Sequence, residues 1–144
     1  MAYKKIKSYD MSEADLRKIW ADEYCAAPIQ TFDGITVKFY PNMFDHVFFE
    51  SANRKARDKS ILSLNRLEKI YWIKETLLDA EAILKQGWDR DSKKHDPIRR
   101  VAIIKGNYIV VIRIYRAGLA SFVTAYQVDD DENLKLILEG PDWP

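Results

Sequence analysis

Between residues 100 and 128 the chain runs as three β-branched and aromatic segments separated by two short turns, which constrains the fold more than any other feature. Arg100-Val101-Ala102-Ile103-Ile104 reads as one strand. Lys105-Gly106-Asn107 supplies a tight turn, because glycine and asparagine tolerate positive φ. Residues 108–115 form a second strand, Arg116-Ala117-Gly118 turns again, and 119–128 form a third. Turns this short make neighbouring strands antiparallel. Residues 134–138 read as a fourth strand, reached through a solvated hairpin loop, Asp129-Asp130-Asp131-Glu132, whose spacing does not match an EF-hand.

The first half of the chain has a different period. A helix is expected over 12–24, with Ser12 as N-cap, Asp15 near the positive end of the dipole and Leu16, Ile19 and Trp20 as its apolar stripe. Pro28 stops any continuation. Phe32-Asp33-Gly34 turns into Ile35-Thr36-Val37-Lys38-Phe39-Tyr40, which alternates with Ile35, Val37 and Phe39 on one face. His46-Val47-Phe48-Phe49-Glu50 fits a helix or a strand. The longest helix is expected over 62–85, with Leu67, Ile70, Tyr71, Leu77 and Leu78 on one side and Gly87 as its stop. Residues 87–97 then form a polar loop. The order gives an α+β fold, with N-terminal helices packed on a four-stranded antiparallel β-sheet, as one domain over 1–144.

Composition narrows the function classes. Lone Cys25 rules out an intrachain disulfide and a multi-cysteine metal site. No apolar run approaches about 20 residues, and the start lacks the apolar stretch of a signal peptide, so a cytoplasmic protein without a membrane partner is expected. Five scattered glycines form no phosphate-binding loop. The net charge is +1, but it is unevenly spread. Residues 52–74 carry seven basic residues against two acidic, 93–116 seven against one, and 129–144 one against six. Basic segments attract polyanions. They also make ordinary solvated surface.

The candidates for chemistry are few. His95 lies in a polar loop and reads as surface. His46 lies in a largely apolar stretch, where burial or Asp45 can tune its proton affinity; a core histidine with one satisfied hydrogen bond fits the same stretch. On the third strand, Thr124 and Tyr126 share a face with Phe122 and Val128, presenting two hydroxyls; both residues are also ordinary strand formers. A histidine, two hydroxyls and nearby cations are what metal-free RNA cleavage needs: proton transfer to and from oxygen, and stabilisation of the phosphorane charge. No metal and no cofactor is called for.

Three short segments then resemble a known family. Phe122-Val123-Thr124-Ala125-Tyr126 resembles the closing strand of the BECR superfamily (barnase, EndoU, colicin nuclease domains, RelE). Phe44-Asp45-His46-Val47-Phe48 resembles the histidine motif of EndoU-type endoribonucleases, and Arg66-Leu67-Glu68-Lys69-Ile70-Tyr71-Trp72-Ile73 the Arg-x-x-x-Ile-x-Trp-Ile helix of phage-encoded members, the PBECR group. The resemblance implies a toxin-like, metal-independent endoribonuclease of a phage or mobile element. Its substrate would be RNA, and a protein inhibitor or antitoxin would be a natural partner. By motif position His46 would be the acid–base residue, Thr124 would hold the scissile phosphate, and Tyr126 would bond to or stack on the substrate. Arg54, Arg57, Arg66 and Arg113 would bind RNA, with Arg66 a candidate phosphate ligand that fits a solvated or ion-paired helix position equally well. Lys38, Lys85, Lys105 and Arg113 are unranked candidates for the family's further catalytic cation. No histidine follows His46 before His95, the feature that favours a catalytically inactive nucleic-acid or protein binding module.

Overall fold

The computed structural model describes residues 4–50, 61–89 and 93–143. A 3-10 turn, Ser8–Asp10, leads to α1, Glu13–Trp20. Ser12 caps α1 by accepting from the Asp15 N–H, and Asp15 accepts in return from the Ser12 N–H, a reciprocal capping box. A π turn, Ala21–Cys25, extends α1 to the expected length. Two short strands follow, β1 (Ile29–Gln30) and β2 (Thr36–Lys38), then α2 (Met43–Val47) and the small pair β3 (Phe49–Glu50) and β4 (Ile61–Leu62). The run containing His46 is therefore helix first and strand second. Next come α3 (Leu64–Leu67), α4 (Ile70–Leu78), β5 (Ile83–Asp89), β6 (Lys94–Lys105), β7 (Tyr108–Arg116), β8 (Leu119–Gln127) and α5 (Asp131–Leu138).

The α+β class holds, but the sheet differs from the expected four antiparallel strands. It has six, in the order β1-β2-β8-β7-β6-β5, and β2 runs parallel to β8, so it is mixed. Two misread segments account for the difference. The expected helix over 62–85 divides into α3 and α4 and then stops at Asp79, which adopts extended backbone. Leu84, which broadens the helical stripe in sequence, pairs instead with Ile103 of β6, and Ile83 beside it with Ile104. That pairing satisfies the backbone of a seven-residue strand, which outweighs the weak local helix preference. The expected fourth strand is α5. Its acidic run is the helix start: Asp130 caps it by accepting from the Glu132 N–H, and Asp131 and Glu132 sit at the positive end of the dipole.

The two short turns are as expected, with Gly106 and Gly118 at φ of 59° and 76°. The first face of the sheet packs on α1, α2 and α4. Its centre is aromatic: the Trp20 ring lies 5.5 Å from Phe39 and 5.7 Å from Phe122, and Phe39 stacks on Phe122 at 5.0 Å. The second face carries a smaller cluster, in which Ile137 and Leu138 of α5 cover Ala102, Ile104, Ile109 and Val111. Among the described residues no helix is long and apolar enough to cross a membrane.

Candidate functional site

A cleft of about 270 Å³ opens on the first face, where α3 meets the start of β7 and the end of β8. Its floor comes from Phe48, Tyr108 and Ala125, and its walls from Ser63, Asn65, Arg66, Gln127 and Asp129. Ser63 caps α3 by accepting from the Arg66 N–H. The Ser8 hydroxyl bonds to the Leu64 carbonyl at 2.6 Å, clamping the N-terminal segment onto α3. This short helix is therefore fixed from two sides, and Arg66 with it.

The groups in the cleft differ in what they have left to offer. Lys69 is buried, and its ammonium is spent on the Asn65 side chain (3.0 Å), the Asn65 carbonyl (3.3 Å) and Glu68 (3.4 Å). Lys69 thus orients Asn65. The Arg66 guanidinium is half-buried and gives one N–H to the Val47 carbonyl at 3.0 Å, leaving four N–H groups uncommitted to the described residues. Tyr108 is only 5% exposed, and its hydroxyl has no hydrogen-bond partner among the described residues. Burial holds that phenol protonated far above its ordinary range, an effect that the charge of Arg66 opposes. A phenol held protonated is a fixed hydrogen-bond donor, beside a guanidinium with donors to spare.

The residues singled out by sequence fall in three places. Arg66 lines the cleft, as does Tyr126. His46 is exposed on α2, two residues before Phe48; Asp45 is committed to Arg17, 2.5 Å away. Arg113 is exposed on the second face. Arg54 and Arg57 lie outside the described residues. Thr124 and Tyr126 do not share a face with Phe122 as expected. The β7–β8 register shifts between Val111↔Thr124 and Ile112↔Phe122, leaving Val123 as an extra residue, a β-bulge. Phe122 and Ala125 therefore both enter the main core, while Thr124 faces the second side and Tyr126 packs with Val128, Ile137 and Leu138. Phe44 and Val47 bury α2 against the first face. His46 and Thr124 thus occupy opposite faces of the sheet.

Tyr108, Asn65 and Gln127 were not singled out by sequence. Tyr108 hides at the head of an apolar strand, and only its position after the Gly106-Asn107 turn hints that it closes one end of the sheet. His95 is on β6, not in a loop, and its ring lies beside Gly140. Among the described residues no three His, Cys, Asp or Glu side chains are grouped to hold a metal ion. Comparison of the chain with protein-family models, with curated proteins and with solved structures gives no match.

Proposed function

We propose that the protein binds RNA and cleaves it at the Arg66 cleft, as a metal-independent endoribonuclease. The observation that carries this reading is the pairing, in one cleft, of a guanidinium with donors uncommitted to the described residues and a buried phenol whose hydroxyl has no partner among them. In the reaction the ribose 2′-oxygen forms a bond to phosphorus and the bond from phosphorus to the 5′-oxygen breaks. The products are a 2′,3′-cyclic phosphate and a free 5′-hydroxyl. One group takes the 2′ proton, another returns a proton to the 5′-oxygen, and fixed donors hold the phosphorane charge.

Arg66 and Tyr108 fit the last role. His46 takes one proton-transfer role; it stands two positions before Phe48, which lines the cleft, about 7 Å of backbone at most. Asp129, in the cleft wall, takes the other. Thr124, on the far face in the row that α5 covers, takes no part at the cleft. Kinship to the BECR superfamily, an origin in a phage or mobile element, and an inhibitor or antitoxin as partner belong to the same proposal. They are supported by the order of helices before sheet and by the short motifs around His46, Arg66 and Thr124.

The test is the single-turnover cleavage rate of labelled RNA in EDTA across pH. His46→Ala should lower the rate about 10²- to 10⁴-fold and remove one limb of the pH profile. An unchanged rate removes His46 from the mechanism. A non-catalytic binding module is the second reading, favoured by the placement of His46 and Thr124 on opposite faces. RNA binding with no cleavage at any pH selects it.

A further inference from the structure

Among the described residues, the second face of the sheet is only half covered. Ile137 and Leu138 of α5 sit over the cross-strand rows through Ile104, Ile109 and Tyr126 and through Ala102, Val111 and Thr124. The next row along the strands has a different character. The registers Arg100↔Arg113, Arg113↔Ser121 and Lys38↔Ser121 place these four residues in one line across β6, β7, β8 and β2. Three intervals between strands give that line a length of about 14 Å. Beyond it, Arg116, Leu119 and Thr36 form a second line in register, with Tyr115 exposed at the bulge beside Arg116.

We infer that this uncovered half-face is a binding surface for single-stranded RNA, running along the row Arg100–Arg113–Ser121–Lys38. The inference takes only the identity of the polyanion from the reading above, and concerns a surface on the opposite side of the sheet from the cleft. Four arguments carry it. First, Lys38, Arg100, Arg113 and Arg116 have no carboxylate within 4 Å among the described residues, whereas ten ion pairs are formed elsewhere. Neither β7 nor β8 contains an acidic residue. Second, like charges directly opposite on neighbouring strands destabilise a sheet. Arg100 faces Arg113 in just this way, and a bound chain of phosphates relieves the repulsion.

Third, the adjoining strand leaves room for Arg100. A Cβ at Gly87 would lie 2.7 Å from the Arg100 Cβ, so a side chain there would displace the start of the row. Fourth, the remaining groups suit an unpaired strand. The Ser121 and Thr36 hydroxyls can bond to phosphate or ribose, and the exposed Tyr115 ring offers a stacking platform for a base. A duplex offers no free base to stack, and an acidic peptide has no use for an aromatic platform.

The test is fluorescence anisotropy of a labelled 2′-O-methyl oligouridine 12-mer, which cannot be cleaved, titrated with the full chain at several salt concentrations in EDTA. Four phosphate contacts give a slope of log affinity against log salt near −2.8. In R100Q/R113Q two contacts go, and the slope should flatten by about 1.4 with the melting temperature unchanged or higher. Tyr115→Ala should weaken binding about 5- to 100-fold without changing the slope. A slope that does not change in R100Q/R113Q overturns the inference. So does displacement of the oligonucleotide by polyglutamate or by duplex RNA at equal charge concentration. The two readings fail separately: loss of cleavage in Arg66→Ala with an unaltered R100Q/R113Q slope sinks the surface and keeps the cleft. A flattened slope in a protein that cleaves no RNA does the reverse.

Discussion

Replacing Tyr108 by phenylalanine separates function from stability, because the two should move in opposite directions. The ring is buried against Trp72 in an edge-on contact at 5.3 Å, and phenylalanine keeps that packing. What is lost is one hydroxyl that has no partner among the described residues. Taking a hydroxyl out of water without replacing its hydrogen bond costs about 1–3 kcal/mol in protein mutational data. Access through the cleft recovers part of this for Tyr108, so Tyr108→Phe should be neutral to about 1 kcal/mol more stable. At this chain length a gain of 1 kcal/mol raises Tm by about 2–4 °C. In the proposed reaction the phenol gives a hydrogen bond to a phosphate oxygen. A hydrogen bond to a charged group contributes about 1.5–3 kcal/mol, or roughly ten- to 150-fold in RNA affinity or cleavage rate. Calorimetry and a cleavage assay on the same preparation check both. A variant that is less stable by more than 1 kcal/mol, or one that handles RNA like the parent chain, refutes the reasoning.

Other consequences are open to equally simple measurements. Burial raises the phenol pKa of both Tyr24 and Tyr108, so the native state keeps protons that the unfolded chain loses above pH 10; stability is full below pH 10 and falls by about 1.4 kcal/mol per pH unit for each phenol as pH rises, which alkaline denaturant titrations should detect. Thr76 is fully buried with no partner for its hydroxyl among the described residues, so Thr76→Val should keep or raise stability by up to about 1 kcal/mol, read from the urea midpoint. Gly87→Ala should cost about 1–3 kcal/mol, because the new methyl meets the Arg100 Cβ on the neighbouring strand; an unchanged midpoint would show that the strands simply part. Trp20→Ala removes the hub of the aromatic core and should destabilise the chain by about 3–5 kcal/mol in the same assay.

The parts of this fold that were legible in the sequence are those decided locally. The Ser12 N-cap and the glycine turns at Gly106 and Gly118 depend on residues within a few positions of one another, and they form where expected. The segment around Leu84 was misread because Leu84 fits the helix stripe and a strand equally well, and its pairing partner, Ile103, lies about 20 positions further on. The acidic run was misread for a related reason. Carboxylates at a hairpin and at a helix start look alike until the apolar spacing of Leu134, Ile137 and Leu138 finds a surface to cover, here the row through Ala102 and Val111.

The candidate sites divide in the same way. Arg66 was singled out because it stands in a recognisable helix segment, and it lines the cleft. The Thr124–Phe122 relation was lost to one extra residue, Val123, since a bulge inverts the alternation without leaving a mark in composition. The row of Arg100, Arg113 and Lys38 depends on three registers, one of them parallel between segments some 80 positions apart, and so exists only in the folded sheet. Tyr108 reads as one more apolar strand residue until the fold sets it in the cleft, with no partner for its hydroxyl among the described residues.

The end chemistry of RNA fragments made by the purified chain in EDTA, read by mass spectrometry, tests the assignment of the cleft most directly. The expected result is fragments ending in 2′,3′-cyclic phosphate for the parent chain, much reduced in Arg66→Ala while R100Q/R113Q still yields the same ends at raised RNA concentration. Intact RNA from the parent chain, or the same yield of cyclic ends from Arg66→Ala, contradicts it.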